Sequence, residues 1–280
     1  MASSLRAART GRRIVVYAIL VVAAAALIAP LAALASNAVK SQADFRNNPL
    51  GLPASFDLAN FAEAWELGGF GTTLLNSLIL TVGTVLGVWV FSGLAAYALA
   101  RLDVPGANGI VLYLFVATAL PIQLFLVPLF FLWSRLNLTD SLFGLIVIYW
   151  AVFSPFATLL LRSYLLALPR GFEEAARLDG AGGLRILARV LLPISWPAFL
   201  TTGLVTGLSA YNEFFFAITF INSDELKPVT TSFLAFQNQF STDWTLTSAA
   251  GVLVVLPVAI VFLAFQRSFI EGLASGGVKG

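Results

Sequence analysis

The side chains that most often carry chemistry are either missing from this chain or stand alone in it. There is no histidine and no cysteine, which removes imidazole bases, thiolate nucleophiles and the commonest ligands of transition metals. The polar groups that remain fall into two places. The first is inside long apolar stretches, where Asn76, Gln123, Tyr149, Ser154, Tyr211, Asn212 and Glu213 stand. Polar groups at membrane depth are costly, and they mark solute pathways, proton relays or bonds between helices. Glu213 is the one acid well inside such a stretch, so no catalytic constellation can be assembled there. Gln123 lies beside Pro121, where a broken helix would open carbonyls to a cavity. Asn76 opens its stretch, which suits capping or a bond between helices. Asn212 and Glu213 lie in the outer half of theirs, where Glu213 would reach interfacial water.

The second place is the charge-rich segment Pro169–Leu192, PRGFEEAARLDGAGGLRILARVLL. Glu173 and Glu174 follow Pro169 and Gly171, where acids favour a helix N-terminus. Ala175, Ala176, Arg177 and Leu178 continue that helix, and Gly180 supplies a left-handed residue to stop it. A second helical stretch, Leu184–Leu192, puts Leu184, Leu187, Val190 and Leu191 on one face and Arg185 and Arg189, four apart, on another. Two short helices around a glycine turn fit two roles. One is an amphipathic hairpin with its arginines on lipid phosphates; the other is a knob that docks a partner protein.

The elements that must position these groups are membrane helices. Hydrophobic residues make up 59% of the 280 and charged residues 11%, with a mean hydropathy of +0.90. Soluble domains carry roughly 25% charged residues, so lipid must solvate much of this surface. A helix needs about 20 mainly apolar residues to cross the hydrocarbon core. Six stretches qualify: Ile14–Ser36, Thr72–Ala100, Asn108–Trp133, Leu142–Leu165, Pro193–Phe220 and Leu246–Phe265. Pro121 and Pro128 predict a kink or break in the third.

Basic residues orient the spans. With the N-terminus cytoplasmic, that side receives Arg6, Arg9, Arg12, Arg13, Arg101, Arg162, Arg170, Arg177, Arg185, Arg189, Arg267 and Lys279. Only Lys40, Arg46, Arg135 and Lys227 fall outside, accompanied by eight acids. Both ends are therefore expected inside. Arg12-Arg13, an apolar run and Ala33–Ala35 also fit a cleavable leader. The run Ile14–Ala35 is longer than the 7–15 residues of a leader core, which predicts an uncleaved first span. The expected organisation is a tail 1–13, a first transmembrane helix 14–36, an outer (periplasmic) loop 37–71, a five-helix core 72–268 that includes loop 169–192, and a tail 269–280. A net charge of +2 implies no nucleic-acid partner.

Glu174-Ala175-Ala176, three residues, Gly180, nine residues, Val190, one residue and Leu192-Pro193 reproduce a known spacing. It resembles the "EAA" loop of binding-protein-dependent ABC importer permeases, with Val190 in an Ile position and Asp179-Gly180-Ala181 similar to that family's D-G-A. Tyr211-Asn212-Glu213-Phe214 resembles its W-N-x-F segment, with Tyr replacing Trp. Leu75-Asn76-Ser77 and Ala95–Arg101 resemble the two ends of its first core span. The tail Gly272–Gly280 is similar to that of the maltose-permease-like, carbohydrate branch.

The resemblance implies an all-α, six-span type I importer permease fold, multi-pass in a bacterial inner membrane. It implies that the loop is a coupling helix seated on an ATPase, with Glu173, Glu174, Ala175, Ala176, Asp179, Gly180 and Ala181 at the docking surface. Asn76, Gln123, Tyr149, Tyr211, Asn212 and Glu213 are the solute-path candidates. No G-x-x-x-x-G-K-[ST] phosphate loop occurs in the chain. ATP and Mg are accordingly expected on a partner ATPase dimer, with no cofactor on this chain. A second permease subunit and an extracytoplasmic sugar-binding protein are the other partners so implied, and membrane lipid surrounds the whole. A sugar is the expected solute; a polyol or glycerol phosphate ester is the neighbouring alternative, and an ion-coupled secondary transporter a more distant one.

Overall fold

The computed structural model describes residues 2–54 and 56–277, with side chains for 13–54 and 56–266. The side chains of Arg6, Arg9, Arg12 and Arg267, Lys279, and the end of the 272–280 tail lie outside the described residues. Every regular element is helical, with no strand among the described residues. Four helices carry an uninterrupted apolar stretch long enough to cross a membrane: Arg13–Ala38, Phe70–Arg101, Leu142–Ala167 and Trp244–Gln266. Among the described residues two bent helix pairs also have the length and composition of a span, and counting each pair as one gives the six expected.

The chain divides into two compact units, residues 1–69 with 235–255 and residues 70–234 with 256–280. In the first unit, α1 (Ala2–Ala38) is apolar on all sides and exposed over residues 14–32. Its last turn is closed by polar side chains rather than by a glycine. Lys40 is fully buried and its Nζ donates to Asn37 Oδ1 at 2.9 Å and to the carbonyl of Asn48 at 2.8 Å. Asn60 donates to the carbonyls of Ala38 and Lys40 at 3.0 and 2.9 Å. These bonds satisfy carbonyls that a helix end leaves without partners. The segment expected as a loop, 37–71, therefore carries two short helices of its own, α2 (Gln42–Asn47) and α3 (Ala59–Leu67). Ser41 caps α2 by accepting from Asp44 N–H, and Phe45 stacks on Trp244 with ring centroids 6.4 Å apart.

The second unit is built on α4 (Phe70–Arg101) and α7 (Leu142–Ala167). They run parallel, as the order of contacts requires: Gly83 faces Ile146, Gly87 faces Trp150, Ser92 donates to the Ser154 carbonyl, and Arg162 donates to the Leu99 carbonyl. Parallel neighbours need a connection that recrosses the membrane, and the third span supplies it. That span is broken. α5 (Ala107–Ala119) and the arm from Ile122 through α6 (Leu126–Arg135) meet at 96°. Pro121 causes the break, because a residue before proline is pushed out of the helical region and Leu120 takes ψ 133°. Pro128 does not kink its arm. It falls in the first turn of α6, where no intrahelical N–H is lost.

Small residues let the helices approach, and indole N–H groups fasten them. Trp150 Nε1 donates to the Gly83 carbonyl and Trp89 Nε1 to the Phe199 carbonyl, both at 2.9 Å. Phe199 belongs to α11 (Trp196–Asn212), which runs antiparallel to α4: Gly203 lies against Trp89, and Gly207 against Thr81 and Val85. The fifth apolar stretch, expected as a single span over Pro193–Phe220, is interrupted. α11 stops at Asn212, Glu213 is extended at ψ 130°, and a separate α12 (Phe215–Phe220) follows. The chain continues into α13 (Val229–Gln239) and α14 (Trp244–Gly277).

Gly87 tests this packing. A Cβ there would overlap the Trp150 indole, which is held between Phe91 and Phe143 and bonded to Gly83. Gly87→Ala is expected to destabilise the protein by about 1–3 kcal/mol, the range for overpacked cores. Gly207→Ala, whose nearest neighbours lie at 3.4 Å, should cost much less. Thermal unfolding of both variants in detergent checks the order.

Candidate functional site

Two sites emerge at opposite ends of the α4–α7 pair. At the N-terminal end, Glu213 is buried, 8% exposed, and does not reach interfacial water as its position in the stretch suggested. Its carboxylate caps α12 instead, accepting from the N–H of Phe216 at 3.0 Å and of Ala217 at 3.1 Å. Tyr149 Oη donates to Glu213 Oε2 at 2.7 Å. A break in a membrane helix exposes backbone donors, and this acid closes them. Thr230 Oγ1 donates to the Glu213 carbonyl at 3.2 Å, satisfying the other side of the break.

The remaining polar candidates disperse. Asn76 bridges to the carbonyls of Glu225 and Lys227 at 2.8 and 3.1 Å, and its neighbour Ser77 accepts from Val229 N–H at 2.8 Å. Both hold the connection between α12 and α13. Asn212 bonds back to its own helix at the Leu208 carbonyl and is exposed. Gln123 is exposed in the turn beside Pro121. Tyr211 lines an apolar groove of about 660 Å³ with Leu74, Leu78, Val82, Trp89 and Gly207. Tyr149 and Glu213 thus meet, while Gln123, Asn212 and Tyr211 each stand in separate surroundings.

Asp140, one of the eight acids expected outside, does more than balance charge. It has positive φ, 54°, and its Oδ1 accepts from the N–H groups of Asn222 and Ser223 at 2.9 Å and from the Ser223 hydroxyl at 3.0 Å. Its own N–H donates to the Phe220 carbonyl at 2.7 Å. The sequence cue was an acid directly before Ser141, the N-cap of α7.

At the other end of the pair lies the charge-rich loop. α8 (Gly171–Leu178) ends in a Schellman motif: Ala181 N–H donates to the Ala176 carbonyl, Gly180 N–H to the Arg177 carbonyl, and Gly180 has φ 77°. Glu174, Ala175, Arg177, Asp179 and Gly180 are exposed, with Leu178 90% exposed beside them, and Ala176 and Ala181 are partly covered. Glu173 differs. It turns inward, with Oε1 2.7 Å from Arg101 Nε, the two side chains 5% and 3% exposed.

Beyond Gly180, α9 (Gly183–Ile186), a π turn (Leu187–Leu191) and α10 (Leu192–Ile194) lead to an 80° bend into α11. The wide turn changes the apolar face expected from α-helical spacing. Ile186 and Leu191, five apart, are buried, whereas Leu184 is exposed.

The described residues thus form an all-helical membrane protein with interrupted spans, an acid that caps one break and a polar loop at one end of the α4–α7 pair. The chain belongs to the family of binding-protein-dependent transport system inner membrane components, whose model matches residues 83–274. It is 34% identical over 255 residues to the probable ABC transporter permease protein YurM of Bacillus subtilis (strain 168), covering 91% of this chain and 85% of that one. It is 29% identical to the melibiose/raffinose/stachyose import permease protein MelC of the same organism, over 99% of this chain and 100% of that one. Among solved structures, a bacterial ABC transporter involved in the import of the acidic polysaccharide alginate matches with TM-score 0.80 and 26% identity, over 91% of this chain and 95% of the matched one. The fold is that of an ABC importer permease.

The Asp140 clamp has a pH signature. The Ser223 N–H first, then the Asn222 N–H and the Ser223 hydroxyl, hold its carboxyl below the ordinary value of 3.8. A group with a lowered folded value contributes stability above its unfolded value and loses it as pH falls through the folded one. Acidification below about pH 4 should therefore weaken the anchorage of residues 221–223. Asp140→Asn should flatten that acid limb of the unfolding curve, read by thermal melts between pH 3 and 7.

Proposed function

We propose that this chain forms, with a second permease subunit, the membrane path of an ATP-driven sugar importer, and that the α8 loop is its seat on a cytoplasmic ATPase. The observation that carries this reading is the exposed surface of α8. Glu174, Ala175, Leu178, Asp179 and Gly180 face outward on a helix whose opposite side is fixed by Glu173. Leu178 is joined on this loop by exposed Phe172 and Leu184, and several exposed apolar side chains outside a span suit a groove on a partner protein better than water. Arg101, Arg162, Arg170, Arg177, Arg185 and Arg189 concentrate on this side, which supports a cytoplasmic location for it and for both termini.

The mechanism follows from coupling. ATP, with its Mg, binds the partner ATPase dimer and favours one of two arrangements of the permease pair; a solute-loaded extracytoplasmic binding protein favours the same one. Both ligands then drive alternating access through their preference for that state. The solute class rests on likeness. Relatives are named for melibiose/raffinose/stachyose, diacetylchitobiose and arabinooligosaccharides. A phosphate ester would call for a cationic pocket, and no Lys or Arg lies deep within a span. A neutral oligosaccharide fits best.

Two measurements test the proposal. Vesicles with the assembled importer should take up a neutral oligosaccharide only with ATP and should continue to do so with an uncoupler present; collapse by the uncoupler would point to ion coupling. Calorimetry on the binding protein encoded beside this permease should show sugar binding, and a preference for a glycerol phosphate ester would redirect the solute assignment.

The docking seat makes a finer prediction. No atom of this chain beyond its flanking residues lies within 4 Å of a Cβ added at Gly180, so within the chain a substitution there acts through backbone strain. Left-handed geometry costs about 1–2 kcal/mol for most residues and less for Asn. Gly180→Asp and Gly180→Val should therefore reduce recovery of the ATPase with tagged permease, Val more than Asp, while Gly180→Asn stays near the parent and all three insert into membranes.

A further inference from the structure

Arg101 is the last residue of α4, and its guanidinium joins three elements. Nε meets Glu173 in the first turn of α8, and Nη2 donates at 2.9 Å to the carbonyl of Leu168, directly after α7. One turn earlier Arg162 Nε ties α7 to the Leu99 carbonyl of α4 at 3.2 Å. Around them Ala96, Tyr97, Ala100, Leu161, Leu165, Ile186 and Leu191 form a buried apolar cluster. A charge pair removed from water in this way is weak evidence for stability, since apolar residues would often serve as well. The tie to α8 is close rather than directional: the two atoms stand 2.7 Å apart without hydrogen-bond alignment, and separating them would leave a charge buried and unpaired, so the helices they join keep their spacing.

Among the described residues no ion pair spans the other route out of α8, which is held by the apolar packing of Ile186 and Leu191. From Leu178 to α11 the chain passes the left-handed Gly180, then Gly182 and Gly183, a π turn and an 80° bend at Ser195. Glycines and π turns are places where backbone geometry yields readily. α8 is thus tied stiffly to α4 and α7 and compliantly to α11.

We propose that the Arg101–Glu173 pair is a positioning joint of the transport cycle. It passes displacement of α8 to α4 and α7 as one body while the glycine and π-turn segment absorbs the displacement toward α11. This rests on the reading of α8 as the docking helix. Glu173 acts through Arg101 and takes no part in the docking surface itself.

The test uses the complete importer in proteoliposomes, with ATPase, partner permease, binding protein and sugar. Glu173→Gln is compared with the parent, and so is R101Q/E173Q, which leaves no buried charge unpaired and keeps the test open if the single variant fails to fold. Three quantities are read: ATPase recovered with the permease, ATP hydrolysed, and sugar moved per ATP. The joint predicts recovery and hydrolysis within about two-fold of the parent and a fall of about ten-fold in sugar per ATP, within the span of known coupling between sites. An unchanged ratio of sugar to ATP overturns it. Loss of ATPase recovery and uptake in proportion also overturns it, because the pair would then only hold the fold. Failure of the docking reading shows elsewhere, as full ATPase recovery by Gly180→Val in a chain with Arg101 and Glu173 intact.

Discussion

Backbone hydrogen bonding in a medium without water is the constraint on which this structure turns. Inside the hydrocarbon, each N–H and carbonyl released by a broken helix must find a partner within the protein. The chain breaks its spans at Leu120–Pro121 and at Glu213, and the second break shows how the need is met. The Glu213 carboxylate takes the N–H groups of Phe216 and Ala217, Tyr149 supplies it a hydroxyl, and Thr230 bonds its carbonyl. An ionisable residue at membrane depth invites a functional reading. Here its nearest chemistry is with the backbone that it caps.

The same constraint explains the tryptophans. Indole is large and apolar apart from one donor, and a buried N–H needs an acceptor. Trp89, Trp133 and Trp150 each give that proton to a carbonyl of another helix or turn, at Phe199, Gly144 and Gly83. These bonds add a fixed register to helix packing that apolar contact alone leaves free to slide. α4 and α7 become a parallel pair with defined ends. One end holds Asn76, Ser77 and the α12–α13 connection, and the other holds Arg101 and α8.

Much of this was legible in the residues and some was not, for identifiable reasons. Span length and apolar composition locate the membrane helices, because solvation by lipid leaves an unambiguous compositional trace. Pro121 announces its break by covalent geometry, and Gly180 announces its turn by its missing Cβ. Glu213 gave no such signal: an acid near a span end looks the same whether it reaches water or turns back to cap a helix. Tyr149, sixty-four residues away in the chain, decides between them. The apolar face of the second loop helix was misread at Leu184, since a π turn adds a residue that 3.6-fold spacing does not count.

Glu173 and Glu174 concentrate that difficulty in one dipeptide. Adjacent residues on an α-helix point about 100° apart, so of two neighbouring acids at most one can face the core while the other faces outward. Local sequence treats them alike: both sit in the first turn of α8, where negative charge is favourable. Arg101, at the end of a helix that begins a hundred residues earlier, breaks the tie by offering a buried cation to one side only. On the proposed reading of α8 as a docking helix, one face serves the partner and one the chain's own core, and the two adjacent carboxylates divide between those faces within a single turn.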